Sequence, residues 1–356
     1  MLKAVWLTNV DSQVMNAHAN LAEGLQRLAA LGFNTIYPAV WQRGYTLYPS
    51  AVAQELTGAS VLPNSPFEGR DLLAEIIELA EPLAMRVIPW FEYGLMVPPQ
   101  SALARQYPDL LSCDKSGNLQ RNVNGKPDPQ VWLNPCHDRV QRFIADLIVD
   151  VVDRYPVTGI QLDDHFAFPV ELGYDRFTQQ LFQQDRCADV NWNDWRAGQL
   201  TALLTDIVSS LKSIRRDCIV SISPNPLSFS KSRYLVDWQQ WAELGLIDEL
   251  VLQVYRDRLD IFSHELTKPE VRAIQTKIPT LIGILTGLKT RPIATETIAQ
   301  QVAMIGAKGF GGYACFFYET LFDRQLSPIL VSRNQQQLIE IFRDRQLTID
   351  NCDSIG

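Results

Sequence analysis

The chain has only four histidines among 356 residues, no Cys-x-x-C pair, no excess of positive charge and no long apolar run. Each shortage excludes a class. A hydrolytic transition-metal site normally draws on several imidazole nitrogens. Of His18, His137, His165 and His264 only His165 falls at the end of a strand-like segment, so neither a metal nor a cofactor is called for. Six scattered cysteines (Cys113, Cys136, Cys187, Cys218, Cys315, Cys352) offer neither a zinc knuckle nor a disulfide frame and read as reduced, mostly buried thiols. Thirty-two Lys and Arg against 40 Asp and Glu leave a net charge of −8. No basic stripe exists to neutralise a phosphate backbone, and nucleic acid is not an expected partner. A transmembrane helix needs about 18 or more consecutive apolar residues, and there is no such run. No signal-peptide core follows Met1-Leu2-Lys3, so the chain as written is expected in the cytoplasm, or in the periplasm or outside the cell if a leader has been removed. No lysine lies inside a predicted strand, which counts against a Schiff-base aldolase.

What is present is a regular alternation. Short runs rich in Val, Ile, Phe, Tyr and Trp alternate with stretches of helical period, the signature of repeated β-α units. The strands are predicted at Ala4 to Asn9, Phe33 to Trp41, Arg86 to Tyr93, Gly159 to His165, Ile219 to Pro224, Glu249 to Tyr255, Thr280 to Gly287 and Gly309 to Phe317. Their near-continuous apolar character suits a parallel sheet buried on both faces. Helical stripes run through Leu21, Leu25 and Leu28, through Leu72, Ile76 and Leu79, and through Val140, Phe143, Ile144, Leu147 and Val151. Others cover Trp192 to Leu211, Leu235 to Trp241, Glu270 to Thr276, Ile293 to Ile305 and Pro328 to Arg343. Eight such units close most simply into a (β/α)8 barrel, a TIM barrel of the α/β class. We expect one domain over residues 1–356, with the barrel over about 4–345 and a tail over 346–356. Long loops at 42–68, 94–136 and 166–191 follow the second, third and fourth strands, on the face where barrel enzymes build their sites. Gly306, Gly309, Gly311 and Gly312 precede the last strand, the wrong end of a barrel for a phosphate cradle.

The sharpest motif is Gly159-Ile160-Gln161-Leu162-Asp163-Asp164-His165-Phe166, in which a buried-strand pattern ends in two carboxylates and an imidazole. Strand alternation puts Gln161 and Asp163 on one face and apolar Ile160 and Leu162 on the other, which sends Asp163 into the barrel mouth. Glu92, Asp257 and Glu319 stand at or just past other strand ends. Acids converging on one rim are what glycoside hydrolysis needs, one carboxyl to protonate the leaving oxygen and one to attack or to activate water. Asp163 with Asp164, Glu92 and Asp257 are the candidates for these two roles. Sugar rings offer apolar faces edged by hydroxyls, so flat aromatics and neutral amides suit the same mouth. Trp41, Tyr45, Trp90, Tyr93 and Tyr255 are the expected platforms, and Asn134, His165, Asn225 and Glu319 the expected hydroxyl partners, while Trp6, Tyr37 and Phe166 read as core. A carbohydrate is the expected partner. The acidic net charge weighs against uronate-rich substrates unless the field at the mouth differs.

Several motifs together, Val5-Trp6-Leu7-Thr8-Asn9-Val10, Gly32 to Pro38, Gly44-Tyr45-Thr46-Leu47-Tyr48-Pro49-Ser50, Gly159 to Phe166, Ser223-Pro224 and Gln253-Val254-Tyr255, resemble the glycosyl-hydrolase-like 10 family in its cyanobacterial form. The resemblance implies a (β/α)8 barrel related to the α-galactosidase and α-amylase superfamily, acting on a polysaccharide or a cell-envelope glycan. It also implies that the nucleophile is the acid closing the fourth strand, Asp163, with Asp257 as the matching later acid. His165 stands where a Tyr often follows the two acids. Two other readings stay open at this point: a carbohydrate-binding barrel without catalysis, and a metal-dependent hydrolase or deacetylase using Asp163, Asp164 and His165.

Overall fold

The computed structural model describes residues 1–122, 128–185, 190–288, 291–322 and 341–342. Its central sheet is built from β1 (Leu2–Leu7), β2 (Thr35–Pro38), β3 in two pieces (Arg86–Val87 and Trp90–Phe91), β4 (Gly159–Asp163), β5 (Ile219–Ser223), β6 (Glu249–Gln253), β7 (Thr280–Leu285) and β8 (Gly312–Phe316). Every neighbouring pair is parallel, and β1 pairs with both β2 and β8. The first piece of β3 pairs with β2 and the second with β4, which closes the ring into the expected (β/α)8 barrel. Pro89 separates the two pieces because it has no N–H to donate. The strand nevertheless runs through: Ile88 N donates to Ile36 O at 3.1 Å and the Pro89 carbonyl accepts from Gln161 N at 2.8 Å.

Most strands stop short of the apolar runs that predict them. Asn9, Trp41, Glu92, Tyr93, Asp164, His165 and Tyr255 lie past the last paired residue, and Trp41 belongs to a separate hairpin, Trp41–Gln42 against Tyr45–Thr46. Pairing ends where the loops diverge, while aromatic character continues because those loops wall a mouth. The loop after β3 carries a small antiparallel sheet in which Pro129–Trp132 pairs with Met96–Val97 on one side and Arg121–Asn122 on the other. The loop after β4 carries a helix, Arg176–Gln184, whose N-terminus is capped by Asp175.

The helices bury the stripes read from sequence: Leu21, Leu25 and Leu28 in His18–Ala30, and Val140, Phe143, Ile144, Leu147 and Val151 in Asp138–Arg154. Two regions divide where one helix was expected, into Leu227–Tyr234 with Trp238–Glu243 and Leu259–Leu266 with Pro269–Gln275. Pro269 opens the last of these, a position where its missing N–H is tolerated. The predicted helix Pro328 to Arg343, the tail, Cys187 and Cys352 lie outside the described residues except for 341–342. There Phe342 packs on Phe33 with ring centroids 5.2 Å apart, and its carbonyl accepts from Lys3 Nζ at 2.6 Å. Cys113, Cys136 and Cys218 are free thiols, and Cys315 is buried.

The barrel interior is stacked in polar and aromatic layers. At the floor Tyr37 Oη donates to Glu249 Oε1 at 2.9 Å and Arg86 Nη2 meets Glu249 Oε2 at 3.0 Å. Above it Gln161 accepts from Trp6 Nε1 at 2.7 Å and donates to Ser221 Oγ at 3.0 Å. The Trp6 indole needs room, and Gly283 on β7 supplies it, since a Cβ there would lie 3.1 Å from Trp6 Cη2. The top layer holds Asp163.

Candidate active site

Asp163 ends β4 with its side chain almost entirely buried. Its Oδ1 accepts from Ser223 Oγ and from Gln253 Nε2, both at 3.0 Å, and Gln253 is itself anchored to the Ser223 carbonyl at 2.6 Å. Asp163 Oδ2 instead faces His165 Nδ1 at 3.4 Å. The same nitrogen lies 3.3 Å from Asp164 Oδ1 and 3.1 Å from the Glu92 carbonyl. Three oxygens around one imidazole nitrogen favour its protonated form, and although burial works against that charge, Asp164 and Asp163 lift His165 to about 9. Asp164 is pushed up to about 7 by burial, against the attraction of His165, and its Oδ2 accepts from Asn225 Nδ2 at 2.5 Å.

Glu92, one residue past β3, completes the group. Burial and then the neighbouring Asp163 charge raise its carboxyl to about 8, while His165, Thr8 and Arg43 oppose the shift. Thr8 Oγ1 lies 3.4 Å from Glu92 Oε2. At neutral pH Glu92 therefore carries a proton, while at the end of the adjoining strand stands Asp163 with one oxygen tied down and one oxygen turned to an imidazolium. Tyr93 on one side and Trp132 on the other approach the His165 ring, at 6.2 and 6.0 Å between centroids. Tyr255 leans on Phe316 at 5.7 Å, and both are half-buried.

Other sequence candidates fall elsewhere. Asp257 is half exposed at the rim, in an ion pair with Arg291 Nη2 at 2.5 Å. Trp41, expected as a platform, is fully buried, donates to the Gly94 carbonyl at 2.9 Å and packs edge-on to Phe143, so it is core. Trp90 is also buried, between Trp6 and Phe316, with its Nε1 unpartnered among the described residues. Tyr45 is half-buried in its hairpin. Asn134, expected to bind hydroxyls, is instead consumed in holding loops together: its Nδ2 donates to Asp175 Oδ1 at 3.1 Å and to Thr178 Oγ1 at 2.8 Å. Glu319 is likewise architectural, because its Oε1 accepts from Ser12 Oγ and Gln13 N at 2.6 Å and from Val14 N at 3.0 Å. Sequence reasoning gave no role to Ser223 or Gln253. The signal was available in their register: Ser223 pairs directly with Asp163, and Gln253 shares the inward face of β6 with Glu249.

Asp163, Asp164 and His165 bring ligand-type atoms within 4.8 Å of one another. A carbonyl oxygen only accepts, so Nδ1 facing the Glu92 carbonyl carries hydrogen, and an ion held by Asp163 and Asp164 would have to be met by Nε2.

A closed parallel barrel with buried acids and aromatics at the carboxyl ends of its strands defines a (β/α)8 protein of glycoside-hydrolase type. Similarity in structure agrees. The glycoside hydrolase domain of PgaB (BpsB) from Bordetella bronchiseptica superposes with a TM-score of 0.69 at 13% identity, covering 96% of this chain and 99% of that one. The α-L-fucosidase isoenzyme 2 from Paenibacillus thiaminolyticus gives 0.66 at 15% identity, over 96% and 49%. The chain belongs to the Glycosyl hydrolase-like 10 family, matched over residues 1–305. Glycosyl hydrolase DigH of Escherichia coli strain K12 is 25% identical over 275 residues, 71% of this chain and 62% of the relative, so the chain spans less than two thirds of the length of that relative.

Proposed function

We propose that the protein hydrolyses a glycosidic bond in a polysaccharide or cell-envelope glycan, with Glu92 as proton donor and Asp163 as nucleophile or transition-state stabiliser. The observation that carries this reading is the pair itself: a carboxyl raised to about 8 shares one mouth with a carboxylate whose Oδ1 is fixed by Ser223 and Gln253. One carboxyl that keeps its proton and one carboxylate held in place by donors are the requirement for this chemistry. Glu92 gives its proton to the departing oxygen, Asp163 Oδ2 meets the positive charge that develops at the anomeric carbon, and the His165 imidazolium keeps the Asp163 and Asp164 side chains from repelling each other. Asp257, tied to Arg291, is the weaker candidate for donor.

The test is a pair of variants assayed on envelope and storage glycans and on aryl glycosides with acidic leaving groups. Asp163→Asn should lose about 10³-fold or more on every substrate, whereas Glu92→Gln should lose as much on natural glycans but far less on the activated ones, which need no proton. Equal loss on both substrate types in Glu92→Gln removes it as the donor, full activity in Asp163→Asn removes Asp163 from the chemistry, and no turnover by the parent protein leaves a binding barrel. Because the proposed chemistry draws on two carboxyl groups and no ion, dialysis against a chelator should leave turnover unchanged, and a loss restored by a divalent ion would revive the metal reading.

A further inference from the structure

Beside the carboxylates stands a cation that the proposed chemistry does not use. Arg121 and Trp132 project from adjacent strands of the small sheet after β3. Arg121 lies opposite Gln130 in register, so Trp132 is its diagonal neighbour on one face. The Arg121 guanidinium sits 5.5 Å from the Trp132 ring centroid and 5.5 Å from that of Tyr234, which ends the helix Leu227–Tyr234 after β5. Trp132 touches the His165 ring, and the Tyr234 hydroxyl, raised chiefly by burial, senses both the Asp164 charge and the Arg121 charge. Arg121 therefore belongs to the wall of the mouth, beyond the reacting acids. Its charge is incompletely matched. Glu171 lies 3.5 Å from Arg121 Nη1 and is shared with Arg233 at 3.3 Å, two guanidinium groups for one carboxylate. Arg121 Nη1 makes no hydrogen bond even though the atom is buried, and its side chain is only 15% exposed.

A planar guanidinium beside two adjoining rings, sharing its one carboxylate with a second guanidinium, is suited to a further carboxylate. We propose that Arg121, with Trp132 and Tyr234, forms a subsite for a carboxylate-bearing sugar residue flanking the scissile bond. The inference rests on a glycan occupying the mouth. It runs against the expectation from net charge that acidic sugars are disfavoured, because two arginines share one carboxylate here while the whole chain is negative.

Binding is measured on the full chain carrying Glu92→Gln, which separates recognition from turnover. The probes are matched pairs, chitohexaose and cellohexaose against their O-carboxymethyl counterparts, at low and high salt. For at least one backbone the carboxymethyl form should bind about tenfold tighter at low salt and lose most of that preference at high salt. Adding Arg121→Gln should abolish the preference without changing affinity for the neutral partner, and Arg121→Lys should keep part of it. Unchanged neutral-glycan affinity and thermal melting show that the Gln variant is folded; if it is not, the Lys variant decides. No preference in either pair, including no binding at all, overturns the proposal, as does a preference that survives Arg121→Gln. Loss of hydrolysis in the parent protein would overturn the catalytic reading and leave this measurement standing.

Discussion

At Asp163 the two carboxylate oxygens have different surroundings, Oδ1 accepting from Ser223 and Gln253 and Oδ2 facing His165, and the Asp163 charge adds to burial in raising Glu92. A carboxyl raised in this way affects stability as well as catalysis. Its folded-state value, about 8, exceeds its unfolded one, so its contribution is fully present below the unfolded pKa and is lost as pH rises toward 8. Glu92→Gln removes that loss. The variant should melt progressively higher than the parent as pH is raised from about 5 to about 8, and the gap should then stay constant; a gap independent of pH would show that Glu92 is not raised. Activity should fall in the same alkaline range as the donor loses its proton. At this scale the strand-end acids Asp163 and Asp164 were legible, because alternation and position are local. Glu319 and Asn134 were not. Glu319 spends its carboxylate on Ser12, Gln13 and Val14, more than 300 positions away in the chain, and no local pattern announces such partners.

Among the elements, the turn after β3 is where the site is held most tightly. Gly94 has φ +47°, and a Cβ on it would lie 2.5 Å from the His165 carbonyl carbon and 2.6 Å from its oxygen. Only glycine lets this turn lie against the end of β4, where Leu95 N donates to the His165 carbonyl at 3.1 Å. Gly94→Ala combines left-handed strain with a backbone clash, and should destabilise the protein by roughly 2 to 5 kcal/mol in a denaturant titration. It should also lower activity in the fraction that stays folded, because His165 must shift from between its two carboxylates. A fully active, fully stable Gly94→Ala would mean the turn can move freely. The strands themselves were readable as elements, yet their ends were overestimated. Aromatic residues such as Trp41 and Tyr93 belong to the loops that line or support the mouth, and composition alone does not separate a paired strand from the wall that continues it.

Over the whole molecule, closure into a barrel follows from eight repeats of one pattern, which is why the architecture was legible while its interior was not. The pattern says that alternate residues face inward; it does not say that Tyr37, Arg86 and Glu249, from β2, β3 and β6, meet at the floor. That meeting is a nonlocal consequence of closure. Burial and the Glu249 charge hold the Tyr37 hydroxyl well above its ordinary value, so the tyrosine stays a neutral donor and Arg86 alone balances the carboxylate. Arg86→Met would leave Glu249 buried with a single neutral partner, at a cost of about 3 to 5 kcal/mol. Adding Glu249→Gln removes the stranded charge and should recover much of that loss. The layer of Trp6, Gln161 and Ser221 separates this floor from Asp163, so both variants should keep parental kcat/KM when assayed well below their melting temperatures. A large activity loss in a folded Arg86→Met protein would show that the floor and the mouth are coupled through that layer, and that the stacked interior acts as one unit.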